Sequence, residues 1–134
     1  MFKSTATLYA DLARHLGVEA LPADESGSVE LSLGTDTTVM LFAEDEFSLM
    51  LAAPVMPLPA GLDYGLMLWL LRRNFHDSTL APFRVGCDAA GLIVLWGRVP
   101  VQGMTGATLA RLIEALASES ELVREELGYG ASQA

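Results

Sequence analysis

Residues 5–16 carry Leu8, Leu12 and Leu16 at intervals of four, with Gly17 behind them, which predicts a first helix closed by that glycine. "LPADESGS" at 21–28 has the Pro, Asp, Ser and Gly of a loop. The period then falls to two. "SVELSL" (28–33) sets Val29, Leu31 and Leu33 on one face against Ser28, Glu30 and Ser32 on the other. After the turn "GTDT", "TVMLFA" (38–43) offers Val39 and Leu41 to one face and Met40 and Phe42 to the other. The acidic turn "EDE" (44–46) leads into "FSLMLAA" (47–53), with Phe47, Leu49 and Leu51 against Met50. Three prolines in "PVMPLPAG" (54–61) are expected to break the sheet. Further strands are predicted at "FRVGCD" (83–88) and "LIVLWGRV" (92–99), joined by the turn "DAAG". A last helix at roughly 105–127 carries the stripe Leu109, Leu112, Ile113, Leu116, Val123 and Leu127, and residues 128–134 are expected to fray. The order α-β-β-β-α-β-β-α has short strand connections. It predicts an α+β fold, a predominantly antiparallel twisted sheet with helices packed on it, in a single domain spanning 1–134 with its core at about 5–127.

"GLDYGLMLWLLRRNF" (61–75) breaks the amphipathic pattern. Leu62, Leu66, Trp69, Leu70 and Arg73 run down one side of a second helix, and Met67, Leu68, Leu71 and Phe75 fill much of the rest. A helix that is apolar on most sides needs cover on more than one of them. One side can pack on the protein's own sheet. A twofold partner, the commonest oligomeric arrangement, accounts for the other, and the alternative is a helix wedged between sheet and proline-rich loop. The sheet poses the same question. If helices cover one face only, Met40, Phe42 and Met50 stand in the open ringed by acids, a pattern typical of protein-binding surfaces; burial on both faces is the alternative.

Charge narrows the classes of partner. The chain has a formal net charge of −9, and ten acidic residues face two basic ones in residues 1–65. Such a surface repels phosphate backbones and anionic lipid, so neither nucleic acid nor membrane is an expected partner. Yet 51% of the residues are hydrophobic. No uninterrupted apolar run reaches membrane-spanning length, since Arg72 and Arg73 stop the longest, and Met1-Phe2-Lys3 leads into polar Ser4-Thr5 without a secretory pattern. These features lead us to expect a cytoplasmic protein.

Candidate chemistry is sparse. His15 and His76 lie in different elements, and Cys87 stands alone, so neither a disulfide framework nor a structural zinc site is expected. A Cys87–His76 nucleophile pair would need a contact that nothing in the pattern supplies. Glu44-Asp45-Glu46 lacks the spacing of a calcium loop and reads as a solvated hairpin tip. No phosphate loop, dinucleotide fingerprint or nucleophile elbow is present, so no catalytic residue, cofactor or metal is expected.

The chain resembles the class I chaperones of type III secretion systems, the Tir chaperone family, over about residues 5–127. The resemblance rests on the element order and on "LARHLG", "LMLWLLRRNF", "FRVGCDAAGLIVLWGRVP" and "GMTGATLARLIEAL". Val123 departs from the pattern, at a place where the family often has an aromatic residue. The resemblance implies a homodimer that binds the N-terminal chaperone-binding segment of an effector in a bacterial cytoplasm, without ATP. It implies dimer contacts at Leu62, Leu66, Trp69, Leu70, Arg73 and Trp96. It implies effector contacts at Leu8, Leu12, Leu31, Leu33, Met40, Phe42, Leu49 and Met50. A regulatory α+β module holding a small apolar ligand is the alternative function.

Overall fold

A computed structural model describes residues 4–34, 36–58, 61, 64–75 and 82–133, with side chains as far as Gly128. The elements follow the expected order: α1 (Thr5–Leu16), β1 (Val29–Leu33), β2 (Thr37–Ala43), β3 (Ser48–Pro57), α2 (Tyr64–Arg73), β4 (Arg84–Cys87), β5 (Leu92–Pro100) and α3 (Gly106–Gln133). The five strands form one sheet in the order β1-β2-β3-β5-β4, antiparallel at every pairing.

Local chemistry sets the element ends. The Ser4 hydroxyl accepts from the Thr7 amide at 3.1 Å to start α1, and Gly17, in the left-handed region at φ 76°, ends it. Asp24, Asp45 and Asp88 each accept from two backbone amides of the turns they open. The acidic tip 44–46 is thus partly a turn device. Its Glu44 also reaches Arg98 on β5, with Nη2 2.8 Å from Oε1. Asp11 on α1 accepts from the Gly106 amide at 2.7 Å and so caps α3 from a neighbouring helix.

Register shows which face is the core. Pairings Val29↔Leu41, Leu31↔Val39, Leu41↔Leu51, Leu49↔Val99 and Ala53↔Leu95 align one apolar row per strand on a common face. Leu8 and Leu12 of α1 and Leu109, Ile113, Leu116, Val123 and Leu127 of α3 close over that face in a single buried cluster. α3 lies chiefly over β3 and β2, with α1 against α3. The helices therefore form one layer, and the opposite sheet face receives none of these helical core residues.

Two boundaries differ from expectation. β3 continues to Pro57, where the prolines were expected to end it. Its ladder to β2 stops at Ala52, and its ladder to β5 shifts register between Pro54 and Met56, so these prolines fall where a missing amide costs little. The α3 backbone is helical to Gln133, beyond the end expected at about 127. Nothing in that tail forbids helix: it holds glycines at about 1 kcal/mol each but no proline. Among the described residues, no helix is long and apolar enough to cross a membrane.

Candidate functional site

The uncovered sheet face brings together residues assigned from sequence to two different tasks. Across it run the rows Glu30–Met40–Ala52–Trp96–Arg84 and Phe42–Met50–Arg98. Met40 is exposed, while Phe42, Met50 and Trp96 are half-buried by one another's strands. Ala52 is only 6% exposed, between Met40 and Trp96. Trp96 lies over the bare backbone of Gly86, where an added Cβ would come within 3.3 Å of its indole nitrogen. One contiguous Met- and aromatic-bearing surface results, so Trp96 and the candidates Met40, Phe42 and Met50 share a face.

A second apolar surface lies at the β1 edge. Leu16 at the end of α1, Leu31 and Leu33 of β1, and Ala110, Ile113 and Glu114 of α3 line an open groove of about 360 Å³. β1 is an outermost strand. Only its start is covered, by an isolated bridge from Ala23 to Val29; from Glu30 to Leu33 it has no outer strand partner among the described residues. Leu31 and Leu33 belong to the core-facing row, yet stay half-buried because α3 lies over the inner strands.

Three expected effector contacts are corrected. Leu8, Leu12 and Leu49 are 0% exposed in the central cluster and present nothing to a partner. The i+4 spacing of Leu8 and Leu12 marked a face, and that face points inward.

α2 has an inward and an outward side. Leu66, Trp69 and Leu70 pack against the core cluster. Arg73 stacks over the Trp69 ring at 4.4 Å and donates to Glu126 of α3 at 3.0 Å. These four were expected at the dimer contact; they are committed largely to their own chain. Tyr64, Met67, Leu71 and Phe75 face outward instead, at 81, 47, 63 and 61% exposure. Leu62 lies outside the described residues.

Asn74, just past α2, is a residue that sequence reasoning did not single out. Its side-chain amide donates to the Val85 carbonyl at 2.9 Å, and its side-chain oxygen accepts from the Val85 amide. It thus occupies both hydrogen-bonding groups of one β4 residue as a neighbouring strand would. With Val85 so engaged on one edge strand, the longer stretch without an outer strand partner among the described residues lies on β1. The only advance signal was an amide residue closing an apolar helix. Beside it, Leu58, Met67, Leu70, Leu71 and Cys87 help line a smaller hollow of about 220 Å³.

Little here suggests chemistry. Cys87 is exposed, His15 is exposed near the end of α1, and His76 lies outside the described residues. No group of three or more His, Cys, Asp or Glu among the described residues could hold a metal ion. The shifted groups sit together around the 21–28 loop. Burial, and secondarily the Asp24 carboxylate, raises the Tyr9 hydroxyl above its usual value, and that hydroxyl is buried without a hydrogen-bond partner among the described residues. Asp24 is held below its ordinary value, first by the Ser26 hydroxyl and then by loop amides. Both effects belong to loop packing.

The described residues thus form an antiparallel sheet with helices on one face and two open apolar surfaces. The chain matches the Tir chaperone protein (CesT) family over residues 7–124, and it belongs to that family. It is similar in fold to a chain of the Yersinia pestis type III secretion chaperone SycH in complex with a fragment of YscM2. There the TM-score is 0.72 at 20% identity, covering 86% of this chain and 95% of that one. It is similar to a chain of the ExoU–SpcU complex from the type III secretion system of Pseudomonas aeruginosa, with TM-score 0.71, 24% identity and coverage of 90% and 93%. A chain of the HopA1–SchA chaperone–effector complex gives TM-score 0.75 at 21% identity, covering 89% and 91%. No curated protein sequence matches the chain.

Proposed function

We propose that this chain is a cytoplasmic chaperone of a type III effector. As a homodimer it holds the effector's N-terminal chaperone-binding segment extended, keeping it soluble and competent for secretion without ATP. The observation that carries this reading is the open β1 edge beside an apolar groove. An extended segment laid along Glu30–Leu33 gains backbone hydrogen bonds whatever its sequence, while alternate side chains enter the groove over Leu31, Leu33 and Ile113. Generic backbone pairing with modest side-chain selection suits a protein that must hold a segment unfolded rather than shape it. The ordering entropy of such a segment has to be offset by a broad apolar contact. The uncovered face with Met40, Phe42, Met50 and Trp96 extends that contact beyond the groove. Family membership and the similarity to chains from chaperone–effector complexes support the same reading.

The dimer contact falls to the outward side of α2. Four large apolar residues, Tyr64, Met67, Leu71 and Phe75, stand exposed on and beside one short helix. A twofold axis beside α2 would cover them with their own copies.

The test is co-expression with the N-terminal segment of a large secreted protein encoded beside this one. The wild-type chain is expected to retain the segment through purification. Leu33→Arg, which places a charge in the groove at an already half-buried position, is expected to release it while leaving the circular dichroism spectrum unchanged. Full retention by a folded Leu33→Arg variant would remove the groove from the mechanism.

A further inference from the structure

We infer that the segment received at the β1 edge alternates apolar side chains with lysine or arginine; this rests on the groove reading above and adds a charge rule to it. Two carboxylates flank the edge, one on each side of the sheet. Among the described residues, Glu114 is the one charged residue lining the groove, on the helix side. Glu30 stands exposed on the opposite face of β1 itself, where its cross-strand neighbour on the inner side is Met40. Neither has an ion-pair or hydrogen-bond partner among the described residues. Several other acids are occupied: Asp24, Asp45 and Asp88 close turns, Asp11 caps α3, Glu44 and Glu126 hold arginines, and Glu121 accepts from Thr37. Arg111, one helical turn before Glu114, does not line the groove, and Arg14 pairs with Asp11.

A strand added beside β1 sends successive side chains to opposite faces. Those on the helix side meet Leu31, Leu33, Ile113 and then Glu114. Those on the other side continue the row that Glu30 begins. Opposite charges directly across a ladder stabilise it and like charges destabilise it. An arriving strand therefore meets a carboxylate on whichever face its polar residues occupy. An acidic strand is refused on both faces, and a basic strand is accepted on both. The excess of acids in the first 65 residues acts in the same direction at longer range, raising the encounter rate with a basic segment.

Two fluorescein-labelled peptides of about ten residues test this. Both alternate leucine with threonine; one replaces two central threonines by lysine, the other by glutamate. Titrated against the full chain at low salt, the lysine peptide is expected to bind more tightly by about two- to five-fold for each carboxylate it meets. That preference should shrink as salt is raised toward 1 M. It should vanish in the Glu30→Gln, Glu114→Gln variant and reverse in Glu30→Lys, Glu114→Lys. Reversal is a gain of binding to the glutamate peptide, which a misfolded variant would not show. Equal binding of both peptides, blocked by Leu33→Arg but unaffected by the glutamate substitutions, would overturn the charge rule and leave the groove reading standing. Binding of neither peptide to a folded chain would overturn both.

Discussion

At the residue scale, the tightest constraint lies where α1 crosses the start of α3. A Cβ on Gly106 would fall 2.5 Å from the Asp11 carbonyl oxygen, a backbone atom that cannot swing aside, while Asp11 caps the Gly106 amide. Gly106→Ala must push the two helices apart and is expected to destabilise the fold by about 1–3 kcal/mol in urea denaturation. Alanine is otherwise the better helix former, so an unchanged or raised midpoint would refute this crossing. Asp24 supplies the pH dependence. Its folded pKa lies below the ordinary 3.8, so its charge contributes stability above that value and the contribution disappears as pH falls through the lowered one. The melting temperature of the wild type should exceed that of Asp24→Asn at pH 7, and the gap should close in strongly acidic buffer. A gap that widened on acidification would reverse the sign of this account. Neither residue was distinguishable in the sequence. The constraint on Gly106 comes from Asp11, a residue distant in the chain, and no local pattern announces it.

At the element scale, legibility followed periodicity. The alternation from Val29 to Leu33 and from Val39 to Phe42 fixed which residues share a face, and the register agrees. Periodicity does not say which face turns inward, and this is where the site residues went astray. Leu8, Leu12 and Leu49 were assigned to a partner and are core. α2 shows the limit most clearly. With apolar residues on most of its sides, the sequence could not choose between Leu66, Trp69, Leu70 and Arg73 or the opposite side. The choice was made by tertiary partners, among them Glu126, more than fifty positions away, holding Arg73 against α3. The dimer proposal thereby moves to the outward side and gains a sharper test. Leu71→Arg adds charge at a 63%-exposed position, so the monomer's own fold should tolerate it. Light scattering is expected to report 14.3 kDa for that variant and twice this value for the wild type. A Leu71→Arg chain that remained dimeric would take the axis away from α2.

At the scale of the whole molecule, the architecture is one sheet with one helix layer. That arrangement buries one sheet face thoroughly and leaves the other with Met40 exposed and Phe42, Met50 and Trp96 partly so. The two edges differ as well: Asn74 occupies the backbone groups of Val85 on β4, whereas most of β1 has no outer strand partner among the described residues. Fold class was readable because short links between strands force antiparallel neighbours. The groove was not, because it joins the end of α1, an edge strand and the first turns of α3, and no local pattern announces that meeting. The proposal is that a second copy and an extended client cover the surface that one chain leaves bare. Native mass spectrometry of the chain co-expressed with the N-terminal segment of its candidate effector tests this most directly. A species containing two copies of the chain and at least one segment is expected. A single folded chain, bare or carrying only a small molecule, would contradict it.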